Sequence, residues 1–306
     1  MDSSIKKALK WVLFWMSMAF LFNAGVFFVE GPDKAQEFLG GYLIELSLSM
    51  DNVFVFITIF TAFGVPLAGQ HRALNYGIIG AIVFRFIFIF AGVSVVNAFH
   101  WVLYVFGGVL IISGLLMYRK HEENKDLGNH LMLRGLRKVV PVTDHFVGNQ
   151  FFTKIDGRRF ATPLFAVVLI IEASDILFAI DSVPAVFSIS TDLFIVYSSN
   201  IFAILGIRQL YFVLEHLHER FRYVRYGVAT ILTFTGLKLA LIDIVPISIP
   251  LSIAFIVAAL TASIVLSVLI SKRRPPRQEN AAQEQGEEES YPPQNLVSRP
   301  LPEEGE

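Results

Sequence analysis

The chain is 306 residues long, 54% hydrophobic and only 17% charged, with 29 Phe, no Cys and a formal net charge of −1. Its mean hydropathy of +0.59 excludes an ordinary water-soluble domain, in which about a quarter of residues are charged. The missing cysteines exclude disulfides, thiol redox chemistry by the chain's own side chains, and thiolate metal ligation.

In chain order, apolar segments lie near 11–29, 38–62, 73–96, 101–118, 161–187, 193–214, 224–243 and 247–270. Each approaches or exceeds the roughly 17–25 residues that cross a hydrocarbon core. The expected fold is all-α, a polytopic membrane protein of about eight transmembrane helices. The first segment, Trp11 to Val29, has basic flanks but no small-x-small cleavage site, so it reads as a retained helix rather than a signal peptide. With an outer loop it occupies residues 1–37; 38–118 then form one three-helix unit and 161–243 a second. Between them, 119–160 is a polar, basic loop with one short helix expected near His130 to Val139. The last helix takes 244–271, and the Glu-, Gln- and Pro-rich tail 272–306 is expected to be disordered.

The basic residues are distributed unevenly. Lys6, Lys7, Lys10, Arg72, the loop 119–160, Arg220, Arg222, Arg225 and Lys272 to Arg274 all share one side, while the opposite loops contribute only Lys34. By the positive-inside rule both termini are cytoplasmic. Lipid is expected against the Phe-rich faces, with no nucleic-acid partner.

Two acidic clusters interrupt the apolar runs with one pattern: ELSLSMDNV at 45–53 and DILFAIDSV at 175–183. Each is an acid, five residues, an aspartate, a small polar residue and valine; Glu172 adds a fifth carboxylate one turn before Asp175. A charge at the bilayer centre costs about 2.5–3.5 kcal/mol even on the lenient insertion scale, so five acids need a shared partner. Further landmarks repeat in order. GAIVFR at 80–85 is echoed by AILGIR at 203–208, YVFGG at 104–108 by YVRYG at 223–227, and SGLLM at 113–117 by TGLKL at 235–239. Units of three helices place the second copy upside down relative to the first, the inverted repeat of secondary transporters with a site near the midplane.

Local geometry constrains that site. Glu172 and Asp175 share a helical face, as do Glu45, Ser49 and Asn52. A six-residue step turns about 240° on an ideal helix, so Glu45 diverges from Asp51, and Asp175 from Asp181, unless the helices break. Pro184 supplies a reason for a break in the fifth segment. The second segment lacks such a proline, and its break is expected only by symmetry. Five core acids (Glu45, Asp51, Glu172, Asp175, Asp181) face three bases (Arg85, Arg208, Lys238), leaving two negative charges if all ionise, which one divalent cation neutralises. Carboxylates with Asn52, Ser182 and backbone oxygen make an oxygen-only set suited to Mg, Ca or Mn rather than Zn or Cu.

The segments SMDNVFVF at 49–56 and EASDILFAIDSVPAVF at 172–187 resemble the two signature segments of the TerC family, and within it the Alx-type members. GYLIE at 41–45, NIFAILGIR at 200–208 and the HEE at 121–123 extend the likeness, which covers about residues 11–270. The resemblance implies a multi-span inner-membrane protein of a family named for tellurium resistance, with members linked to manganese export. It carries the role of metal ligand to Glu45, Asp51, Asn52, Glu172, Asp175, Asp181 and Ser182. Members often carry a lysine after the glycine of the fourth segment, where this chain has Leu116; the matching Lys238 of the seventh is present.

Plainer readings stand beside this one. Asp51 can pair with Arg208 and Asp181 with Arg85 as structural ion pairs, and Asp175 or Glu45 can be the counter-ion of an arginine rather than a metal ligand. Ser47 and Ser49 read as helix-packing residues, His216 and His218 as solvated loop, and His121 to Glu123 as a solvated charge run. The leading functional expectation is export of Mn²⁺ or a related divalent cation, with no tightly bound cofactor and no enzymatic activity. A metal-homeostasis or tellurite-resistance scaffold, binding a cytoplasmic partner through 119–160, is the alternative. A membrane redox modulator comes third, disfavoured by the absent cysteines.

Overall fold

The structure, a computed structural model, describes residues 3–119, 143, 146–155, 158–215 and 223–273. Among them are eight helices: α1 Ser3–Glu30, α2 Pro32–Ala62, α3 Leu67–Ala98, α4 Val102–Arg119, α5 Pro163–Phe187, α6 Leu193–Glu215, α7 Val224–Ala240 and α8 Ile249–Arg273. Each overlies one expected segment. Five (α1, α2, α3, α5 and α8) are long and apolar enough to cross a membrane, and α6 makes a sixth if its two parts, bent by 44° around residue 208, are one span. The apolar stretch of α4, Val102–Tyr118, is shorter. At 17 residues, α7 reaches only about 26 Å at 1.5 Å per residue. The expected short helix near 130–139, the tail from 274 onward and His216 and His218 lie outside the described residues.

One element was not anticipated. Strands β1 Phe152–Ile155 and β2 Arg158–Ala161 pair antiparallel, with Ile155 opposite Arg158. The connecting residues are Asp156 and Gly157, a two-residue pair that strongly favours hairpins. The Asp-Gly signal lies inside the loop expected to hold only a short helix near His130 to Val139.

Helix ends follow local chemistry. At the end of α2, Val65 N–H donates to Phe60 O at 2.9 Å and Gly64 N–H to Thr61 O at 3.1 Å. That is a Schellman closure, and it needs a left-handed residue, here Gly64 at φ 59°. Pro66 follows and precedes α3. At the start of α6, Asp192 Oδ1 accepts from Phe194 N–H at 3.0 Å and Ile195 N–H at 3.3 Å, satisfying two of the orphan donors of a helix N-terminus.

The helices pack across the two expected units rather than within them. α4 lies on α7, α2 on α6 and α3 on α5, with α1 outside against α6 and α2 and α8 against α7 and α2. The α4–α7 approach is backbone to backbone: a Cβ on Gly107 would sit 2.8 Å from Gly236 O and from Ala240 N, and one on Gly236 would sit 2.8 Å from Gly107 O. Small residues permit such contact where lipid supplies no hydrophobic drive between helices. Outward faces expose Phe14, Phe20, Phe28, Phe86 and Phe90, a surface suited to hydrocarbon rather than water.

Two apolar clusters fill the interior, besides a third that packs α1 against α2 and α6. One gathers Val53, Phe60, Leu74, Leu164, Ile171 and Ile204; the other gathers Ile44, Ile89, Val93, Val183, Phe187 and Val196. On α3 the first cluster ends at Ala81 and the second begins at Ile89; on α5 the first ends at Ile171 and the second begins at Ala179. Asp51, Arg85, Glu172 and Asp175 lie in the intervals between the two clusters, and Glu45 and Asp181 within the second.

The expected helix breaks do not occur. α2 runs unbroken from Pro32 to Ala62, and α5 continues through Pro184 to Phe187. Pro184 falls in the last turn; its missing N–H gives up one bond, to Ile180 O, and the helix continues past it. The bend lies instead in α6, beside Gly206, a residue type that commonly accompanies kinks.

Candidate metal centre

Because α2 and α5 are unbroken, the two acids of each pattern diverge as an ideal helix requires. The first acids of the two patterns converge instead, and Arg85 of α3 joins them. Its Nη1 donates to Glu45 Oε1, to Asn200 Oδ1 at 3.1 Å and to Ser182 Oγ at 3.3 Å. Its Nε lies 3.7 Å from Asp175 Oδ2. Asn200 Nδ2 donates to Glu45 Oε2 at 2.9 Å, and Ser49 Oγ to Glu45 Oε1 at 3.3 Å. Glu45, Arg85 and Asn200 are each no more than 1% exposed, and Asp175 is 5% exposed. Helices α2, α3, α5 and α6 therefore meet at one buried polar node.

The remaining expected residues surround this node unequally. Asp181 accepts from Ser113 Oγ of α4 at 2.8 Å, so its described hydrogen bond is to α4. The proposed structural pairing of Asp181 with Arg85 is corrected, since the ion-pair partners of Arg85 are Glu45 and Asp175. Asp51 also has interactions of its own, while the side chain of Arg208 lies outside the described residues. Asn52 is buried with Nδ2 lacking an acceptor. Lys238 is buried in α7 and donates to Ser252 Oγ of α8 at 2.8 Å, away from the node. Ser47 bonds back to Leu43 O at 2.6 Å, as a packing residue does.

Glu172 is held in a cradle. Its carboxylate lies directly over Gly80 of α3, where an added Cβ would come within 2.1 Å of Oε1. Glu172 Oε2 and Asp175 Oδ2 are buried without a hydrogen-bond donor. Orphaned carboxylate oxygens in apolar surroundings are costly, and they are the hard oxygen donors that Mg, Ca and Mn accept. Among the described residues no three His, Asp or Glu side chains gather closely enough to enclose a metal ion; Arg85 stands between the acids instead.

Sequence reasoning missed Asn200, Ser113 and Gly80. Asn200 carried a signal, an amide inside the apolar run of α6 eight residues before Arg208. Ser113 and Gly80 stood among the repeat landmarks without a chemical role.

Two cavities lie among these helices, and one of them reaches the node. One of about 950 Å³ lies between α1, α3 and α6, lined by Lys7, Trp11, His71, Asn75, Gln209 and Glu215 among others. A second, of about 20 Å³, reaches Asp175 between Phe56, Leu74 and Ile204. Ile78 borders both.

The pattern of the integral membrane protein TerC family matches residues 30–275. An uncharacterized membrane protein of Myxococcus xanthus is 49% identical over 242 residues, covering 78% of this chain and 75% of its own. A protein of Escherichia coli K12 whose name proposes a membrane-bound redox modulator, Alx, is 43% identical over 256 residues, 80% of each chain. An uncharacterized membrane protein of Rickettsia conorii is 41% identical over 236 residues, 77% of this chain and 78% of its own. No solved structure matches significantly.

Proposed function

The chain belongs to the TerC family of integral membrane proteins, and on that premise we propose that it transports Mn²⁺ or a related divalent cation through the buried carboxylate node. The carrying observation is that Glu45 from α2 and Asp175 from α5, equivalent acids of the two patterns, reach one buried arginine between two apolar clusters. Charge at that depth marks an ion pathway by default. The pairing of α2 with α6, α3 with α5 and α4 with α7 supports two interdigitated three-helix units, and alternating access then moves one unit against the other. The cavity between α1, α3 and α6 carries Lys7 and shares Ile78 with the small cavity at Asp175, which supports entry from that side. Export, a bacterial inner-membrane location and cytoplasmic termini complete the reading; they rest on the family resemblance and on the distribution of basic residues. No enzymatic step is assigned.

The test is cellular manganese in a strain lacking its own exporter, with Glu45→Gln and Asp175→Asn compared with wild type. Both are expected to leave manganese high. Variants that lower it as well as wild type does would sink the transport reading.

A second reading comes from the name of the Escherichia coli relative: modulation of redox state. With no cysteine in the chain, that effect would act through ion or metal balance rather than through thiol exchange by this protein.

A further inference from the structure

Arg85 sits where the cargo of the proposed transporter has to sit. Around it stand a carboxylate oxygen of Glu45, an amide oxygen of Asn200, a hydroxyl of Ser182 and a carboxylate oxygen of Asp175. These come from three helices and are the oxygen types that a hard divalent cation takes. A guanidinium installed as a permanent structural partner spreads its five N–H donors over its neighbours, typically as a bidentate fork on a carboxylate. Arg85 does the opposite. All three of its hydrogen bonds leave from Nη1, Nη2 is buried without an acceptor, and Nε faces Asp175 Oδ2 at 3.7 Å, an ion pair too long for a hydrogen bond. The arginine supplies charge to the cage without satisfying its geometry.

We propose that Arg85 is a tethered stand-in for the cargo: it occupies the oxygen cage when no cation is bound, and an entering divalent cation displaces it. The proposal rests on the cation-transport reading. It answers a physical difficulty in that reading. Two carboxylates from different helices, facing each other in apolar surroundings, are strongly destabilising once their counter-charge leaves. Arg85 keeps Glu45 and Asp175 paired through the empty half of a transport cycle. Its return then competes with the bound cation, holding affinity low enough for release.

The experiment uses purified full-length protein, with Mn²⁺ binding by calorimetry and thermal unfolding with and without MnCl₂. Arg85→Gln is expected to bind Mn²⁺ about tenfold more tightly than wild type, which corresponds to about 1.4 kcal/mol. It should melt below wild type without metal, regain the wild-type melting temperature with it, and release Mn²⁺ more slowly from proteoliposomes. Arg85→Lys keeps the charge, but one ammonium spans the cage less well, so its affinity should fall between the two. If Arg85→Gln folds only when Mn²⁺ is present during purification, that rescue supports the exchange. If it folds in neither condition and Arg85→Lys binds no more tightly than wild type, the proposal is overturned. If wild type binds Mn²⁺ and both variants bind it equally or more weakly, Arg85 is no competitor and this inference fails while the transport reading stands. If no form binds Mn²⁺, Mg²⁺ or Ca²⁺, both fail together.

Discussion

Single side chains at the node sit in surroundings that punish small changes. Glu172 rests on Gly80 because a glycine leaves room for the carboxylate against the α3 backbone. Gly80→Ala places a methyl where Oε1 and Oε2 now lie, so the carboxylate has to rotate away. The carboxylate is the movable end of a flexible chain, so the expected stability cost is small, about 1 kcal/mol or less. Divalent-cation transport, by contrast, should drop several-fold; a melting curve and a manganese efflux assay on the same variant separate the two effects. Unchanged efflux would show that Glu172 is not needed where the structure puts it. Glu45, Asp51, Asp175 and Asp181 were legible in the sequence because charge in an apolar run is expensive and therefore conspicuous. Gly80 was not, since nothing in a sequence says which glycine will lie under a side chain ninety-two residues away.

Among the helices, the closest contact is that of α4 with α7. Gly236→Val would drive a branched side chain into Gly107 O and Ile111 N, each 2.8 Å from the Cβ position. Overpacking of this kind typically costs about 1–3 kcal/mol, read as a lower melting temperature in detergent. An unchanged melting curve would mean that this contact contributes little to stability. The start of α6 offers a pH-dependent counterpart. Asp192 also accepts from Lys34 of α2 at 2.9 Å, and Lys34 bridges to Glu37, which accepts from Ser190 at 2.5 Å. Partial burial opposes ionisation of Asp192, yet the hydrogen bonds from Lys34 and from the Ile195 and Phe194 backbone hold its carboxyl below the usual range. A depressed folded-state pKa stabilises above the unfolded value of about 3.9 and that stability is lost as pH falls through the folded value. The melting temperature should therefore fall below about pH 4, and Asp192→Ala should remove part of that dependence. The same substitution should cost about 1 kcal/mol at neutral pH through loss of the helix cap.

For the whole molecule, the absence of cysteine makes topology directly testable. In Lys6→Cys and Asp243→Cys variants each chain carries one thiol. An impermeant maleimide added to intact cells should label the exposed loop position 243 and leave position 6 unlabelled until the membrane is opened. The reverse pattern would overturn cytoplasmic termini and, with them, the side assigned to the cavity between α1, α3 and α6. Fold class was readable at this scale because helix length and hydropathy are local quantities set by bilayer thickness. The hairpin at 152–161 was readable in principle from its Asp-Gly pair, inside a loop expected to hold only a short helix near His130 to Val139.

What the sequence by itself determined is the set of helices, the depth of the acids within them and the fact that they outnumber their bases. Each follows from local composition and from the cost of charge in hydrocarbon. Which acids meet was decided only by the tertiary structure. A helix break at Pro184 was expected to bring Asp175 and Asp181 to one point; α5 instead runs on to Phe187 and keeps them apart. Convergence arises between helices, through the packing of α2, α3, α5 and α6 that sets Glu45 and Asp175 on Arg85. The angular spacing along one helix is a property of its covalent geometry, whereas contact between residues 45, 85, 175 and 200 depends on how separate helices bury their faces.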